Sequence, residues 1–369
     1  MWTRLSLWTM NALVALSATS SRQTPAPAGD GRIELVAHMR VARSAGTATP
    51  IAGNRVLIAG GMTGGGSAIR EYEVFDATTN RIVASGEMTE ARIGHAATLL
   101  PDGRVLISGG YNGSYLKAAV LFDPRTLRFS DAGAMTAGRS GHTATLLRDG
   151  TVLITGGVGD GWSFLSSAEL FVPRLGRFIA VHDMSVARES HTANLLADGR
   201  VLIAGGHRDR RERIVVYAST EIYDPARRRF SAGPDMTVAR HKHDAVSLAD
   251  GGVLVVGGSD PRDRTLFTSA ERYEPASNRW RAVSNMRVGR YKLRDTSLRL
   301  ADGRVLVSGS GRYAELFDAA TNAFTRVPGD LGDSYAFASS ALLGDGRALV
   351  VGGYDDGGRN TDGIWIFRR

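Results

Sequence analysis

Four histidines, His95, His142, His191 and His243, recur at one repeat position along the chain. Neutral imidazoles bind zinc or copper, and four of them would make a complete donor set. Their spacing of 47, 49 and 52 residues argues against a shared centre. It gives one imidazole to each repeat unit at an equivalent place, so the expected role is structural, with no metal and no cofactor. Arginines recur in the same way at Arg43, Arg92, Arg139, Arg188, Arg240 and Arg290, and glutamates at Glu73, Glu169, Glu221, Glu271 and Glu315. Two readings stay open for these charges: ion pairs that organise each unit, or arginines that line an opening and receive an anion.

Other chemistries are excluded by residue content. The chain has no cysteine, so disulfides, thiolate metal sites, iron–sulfur clusters and thiol nucleophiles are ruled out. It contains no Gly-x-Ser-x-Gly, no His-Glu-x-x-His and no phosphate-cradling loop. The acidic run Asp355 to Asp362 lacks the glutamate and spacing of a calcium loop.

The formal charge is +8, with 45 basic residues of which only Lys117, Lys242 and Lys292 are lysine. Such a charge nominates nucleic acid. However, the arginines fall at both ends of the predicted strands, as at Arg104, Arg200, Arg304 and Arg347 on one side. Diffuse charge lacks the single stripe that phosphate tracking needs, so nucleic acid is not expected as a partner. Residues 1–18 read as a signal peptide, because Arg4 precedes an apolar stretch from Leu5 to Ala18 that is too short to span a bilayer. Residues 19–31 read as a flexible linker. No later apolar run is long enough to span a membrane, so the mature chain is expected to be exported, periplasmic or secreted.

The elements that position these side chains follow from an internal repeat. Three apolar residues, one variable residue and Gly-Gly recur, ending at Gly61, Gly110, Gly157, Gly206, Gly258 and Gly353, with a degenerate copy at Gly309-Ser310-Gly311. The first glycines are 49, 47, 49, 52, 52 and 43 residues apart. Each copy has a strand of small residues, an Asp-Gly turn (both residues expected at positive φ), the glycine-ended strand and a variable loop. A third strand ends in an aromatic–acidic pair such as Phe122-Asp123, and a fourth carries an aromatic such as Phe129 or Trp280. Seven antiparallel four-stranded units predict an all-β, seven-bladed β-propeller over residues 32–369. The segment 32–39 looks like a fourth strand without a blade, so it should close the ring by completing the last one, since closure removes exposed edges.

The double glycine, the aromatic–Asp pair and the fourth-strand aromatic resemble the kelch repeat, in register seven times. Two departures stand out: Trp280 alone supplies the usual fourth-strand tryptophan, and the sixth copy breaks the double glycine. The resemblance implies a ligand- or protein-binding module built on loops. It also brings in copper radical oxidases similar to galactose oxidase, whose cofactor needs a cysteine joined to a tyrosine; without cysteine that activity is excluded. A non-redox carbohydrate-processing enzyme similar to sialic-acid mutarotases is the alternative, at the level of fold only.

Loops after strands two and four share one face of such a ring, and function on repeat scaffolds sits in variable loops. That face is expected to carry Arg208, Arg211 and Arg213 in the unusual loop 207–213, with Arg188, Arg240, Arg290 and Lys292 entering from the links between blades. Trp162 and Tyr111 are expected to rim the opening with aromatic surface. Together these residues suit a carboxylated sugar or an acidic peptide or protein.

Overall fold

The computed structural model describes residues 31–210 and 213–369. The expected signal peptide, all of the linker but Gly31, and Arg211 lie outside the described residues. Among those described, seven four-stranded antiparallel sheets form a ring. Blade two shows the plan, running outward from the axis as Ala96–Leu99, Val105–Ser108, Ala118–Asp123 and Arg128–Ala134. The first strands of neighbouring blades touch all the way round the axis.

Second strands are apolar at every position because both their faces are covered. In blade one, Val56 and Ile58 pack into the core shared with blade seven, while Leu57 and Ala59 face blade two. The hydrophobic core is thus seven separate wedges between blades. The aromatics of strands three and four are direct cross-strand partners within them. Phe122 pairs with Phe129, Tyr223 with Phe230 and Tyr273 with Trp280, with ring centroids 4.9–5.4 Å apart. Such pairs add to area burial through favourable ring geometry.

The ring closes as the sequence implied. Strand Arg32–His38 pairs antiparallel with Gly363–Arg368 on the outside of blade seven, with Ile33 opposite Phe367. The turn prediction needs a correction. In blade two the loop has three residues, closed by the Gly103 and Leu100 amides donating to the Leu100 and Arg104 carbonyls. Only Gly103 takes positive φ, at +86°. Asp102 stays outside the left-handed region, and its carboxylate accepts from the amide and guanidinium of Arg104.

Neighbouring blades are held by a repeated clasp. Each link arginine turns its carbonyl back to the second glycine of the blade before it, as in Gly206 N–H to Arg240 O at 2.9 Å. Its side chain reaches forward into the blade that follows. Arg240 donates to Gly257 O at 2.6 Å, Ser269 O at 3.1 Å and Glu271 Oε1 at 2.9 Å. The first glycine sits beneath this clasp. At Gly205, φ is +64°, and a Cβ would lie 2.6 Å from Arg240 O and 2.7 Å from His243 Cε1. In blade six Ser310 replaces the second glycine, adopts φ +51° and bonds to Tyr335 O, so the clasp survives the lost motif.

Candidate functional site

The inner strands enclose an axial cavity of about 560 Å³, lined mostly by small and hydroxyl side chains such as Ala97, Thr143, Ala144 and Ala193. Larger side chains in these places would fill it. At the loop-face end the links form a belt of blade-to-blade hydrogen bonds. Gly141 N–H donates to Gly94 O, Ser190 to Gly141, Lys242 to Ser190, Leu293 to Lys242, Phe337 to Lys292, and Ala45 to Phe337. The belt residues other than Leu293 adopt left-handed φ, from +51° at Phe337 to +66° at Gly141. Glu189, Lys242, Arg294 and Asp295 bring charge to this mouth.

Arg294 and Asp295 are a two-residue insertion in the link of blade six. Leu293 fills the place of the histidine in other links, as its contact with Gly257 shows, and the strand resumes only at Thr296 and Ser297. The insertion carries the Arg294 guanidinium across the axis to His142 O in blade three, at 3.3 Å. Burial lowers its pKa against the pull of Asp295 and Glu189. Among the described residues no carboxylate lies within ion-pairing distance of it.

Beside it a polar chain crosses from blade four to blade five. The Glu189 carboxylate lies over Gly141, next to the residue Arg294 touches. It accepts from Arg210 at 3.3 Å and faces His207 Nε2 at 3.5 Å. His207 Nδ1 meets His241 Nδ1 at 3.2 Å. His241 Nε2 lies 3.1 Å from Asp260 O and 3.3 Å from Asp263 Oδ1, while Lys242 and Ser259 also bond to Asp263. Burial raises the Glu189 pKa, opposed first by Arg210 and Lys242. Burial and the neighbouring His241, Lys242 and Arg210 push His207 down to about 3. Burial alone would raise Asp263, but hydrogen bonds from His241, Lys242 and Ser259 hold it well below the usual carboxylate range.

The residues expected at the site divide into two groups. Arg188, Arg240 and Arg290 do not face the opening. They are 0 % exposed and spend their donors on the carbonyls of their own blades and on Glu221, Glu271 and Glu315. Of the two readings of the repeated charges, the ion pair holds for these and for Arg43–Glu73 and Arg139–Glu169. Blade two departs from it, with Val120 in place of the glutamate and Arg92 beside Glu90 at 3.4 Å. The histidines are buried too. His142 Nε2 meets Ser108 Oγ at 3.0 Å and His95 Nε2 meets Thr47 Oγ1 at 3.1 Å, each joining two blades. Burial holds both imidazoles well below their ordinary pKa.

The remaining candidates lie on the loop face. Lys292 Nζ donates to Tyr354 Oη at 2.6 Å and Tyr291 Oη at 3.1 Å. Burial lowers its pKa, but these hydrogen bonds outweigh that and leave it raised. Tyr111 packs against Tyr115 at 5.0 Å, and Tyr115 against Trp162 at 6.1 Å. Trp162 is 57 % exposed, with the Arg210 guanidinium 3.8 Å from its ring centroid. Arg208 lies 3.8 Å from Asp209, and Arg208 and Arg213 are exposed.

Sequence reasoning missed Arg294, Glu189, His241 and Asp263, while Arg210 lies in the loop it singled out. A signal existed for three of them. Glu189 and His241 directly follow link arginines, where other blades carry Ser44, Ile93, Ser140 or Tyr291. Arg294 belongs to the one link that is two residues longer.

The profile of the kelch motif matches residues 245–287, from the inner strand of blade five to the link of blade six. That is one repeat of the seven, and the other blades share its plan. The chain is a kelch-repeat β-propeller. A solved fungal alcohol oxidase of the AA5 family, in complex with copper, superposes on this kelch propeller with a TM-score of 0.70. The two share 15 % identity over 91 % of this chain and 75 % of the oxidase, a likeness of fold. No curated protein matches the sequence at a significant level.

Proposed function

We propose that this kelch propeller is a binding module that takes an anionic ligand, a carboxylated sugar, at the loop-face mouth of its axis. The observation that carries the reading is Arg294, a guanidinium inside a cavity of monosaccharide scale with no carboxylate in ion-pairing distance among the described residues. Guanidinium pairs with carboxylate through two parallel donors. Lys292 at the rim and the exposed Trp162 add a second charge and a stacking surface. An acidic peptide would use Arg208, Arg213 and the rim instead of the cavity.

Thermal shift and calorimetry with D-glucuronate, and with an Asp/Glu-rich peptide as the competing case, test this, because a ligand bound only by the folded state raises its melting temperature. D-glucuronate should stabilise the wild type and the exposed far-face variant Arg228→Ala, but not Arg294→Gln. If the peptide alone binds, or if Arg228→Ala and Arg294→Gln weaken binding equally, the cavity is not the site. Export belongs to the same proposal. It rests on residues 1–18, and mass spectrometry should find the mature chain beginning near Thr19; intact Met1 on cytosolic protein would oppose it.

A further inference from the structure

Hydrogen-bond chemistry fixes the protons of the chain beside Arg294 one after another. Asp260 O is a carbonyl and can only accept, so His241 Nε2 must carry a hydrogen. If that is the ring's single hydrogen, His241 Nδ1 is bare. At 3.2 Å from it, His207 Nδ1 must carry the hydrogen between them. His207 Nε2 is then bare, and it lies 3.5 Å from Glu189 Oε2, another acceptor. An ionised Glu189 leaves this contact with two acceptors and no hydrogen; a protonated Glu189 supplies the hydrogen that would join it to the chain from Asp263. His207 is not the natural holder of the extra proton, since burial and three cationic or ionisable neighbours oppose its charge.

We infer that the mouth is a site for a carboxylate together with a proton, the carboxylate resting on Arg294 and the proton lodging between Glu189 and His207. This rests on the anionic-ligand reading above and adds its regulation by pH. The groups facing Glu189 set the balance. Arg210 and His207 come from the long loop of blade four, and His241 and Lys242 from the link into blade five. Arg294 and Asp295 enter from blade six, and Tyr115 from blade two. In the free protein the cations Arg210, Lys242 and Arg294 favour an ionised Glu189. An incoming carboxylate neutralises Arg294 and adds a negative charge beside Glu189, so the proton is taken up as the ligand arrives. By linkage, binding then weakens as pH rises through the Glu189 titration, by up to about tenfold per pH unit.

Calorimetry of the full chain with D-glucuronate, in Bis-Tris and in Tris at one pH, reads the proton directly from the difference in heat between buffers. Uptake approaching about one proton is expected, with affinity falling as pH rises through the Glu189 titration. Glu189→Gln should still bind D-glucuronate, without the buffer or pH dependence. Equal heats in the two buffers with binding intact would overturn the proton site and leave the anion site standing. Absence of binding would overturn the anionic-ligand reading itself, and this inference with it. Nitrogen-15 spectra of the ligand-free histidine rings give a second readout that needs no variant. They should show His241 protonated at Nε2 and His207 at Nδ1; hydrogen on His207 Nε2 would refute the proton position whichever ligand binds.

Discussion

Replacing Arg240 by alanine separates a structural arginine from a ligand-facing one. The change removes four hydrogen bonds, to Gly257 O, Ser269 O, Ser269 Oγ and Glu271 Oε1. Glu271 keeps its bonds from Thr237 N, Thr237 Oγ1 and Val238 N, yet its charge stays buried without a counter-ion. Breaking a buried pair by removing one partner costs about 3–5 kcal/mol. A propeller of about 340 residues unfolds with an entropy of about 0.7 kcal/mol/K, so the melting temperature should fall by about 4–7 °C. Calorimetry or circular dichroism on heating measures it. A companion double variant, Arg240→Met with Glu271→Val, gives blade five the apolar residue that blade two carries at Val120, and should recover most of the loss. An unchanged melting temperature in Arg240→Ala, accompanied by loss of D-glucuronate binding, would refute the placement of this guanidinium in the blade.

Three further outcomes follow from the same geometry. His191 is pushed down to about 3 by burial and Arg188, so the unfolded chain binds its proton first as pH falls. Its contribution is intact above about pH 6.5 and is lost by about 1.4 kcal/mol per pH unit toward pH 3, so pH-dependent unfolding of His191→Asn should be flatter in that window. Gly205→Ala should destabilise by about 1–3 kcal/mol in urea titration, through positive φ and the collision with Arg240 O; equal stability would mean the clasp yields freely. Deleting Arg32–His38 strips the outer strand from blade seven and exposes the Gly363–Arg368 edge, so the product should lose cooperative unfolding and aggregate. A stable, cooperatively unfolding deletion variant would mean the ring does not depend on that strand.

Architecture was legible in the sequence because a repeat states it seven times. Short-range rules act on adjacent residues: four apolar positions make a two-sided buried strand, and glycine marks a backbone that no Cβ can share. The blade-less strand at 32–39 pointed to a closed ring. Side-chain direction at the links was not legible. Arg188 and Arg240 could be read as ion-pair partners or as anion binders, and only packing showed their guanidinium groups turned into the blades. The candidate site departs from the repeat altogether. Arg294 touches a carbonyl 152 positions away, and His207 meets His241 across two blades. Contacts across a ring depend on how seven wedges stack around one axis, and no local spacing encodes that distance. The sequence by itself therefore determined the blade, its strands and where its turns fall, whereas tertiary structure alone decided which charges were spent on holding blades together and which were left at the mouth.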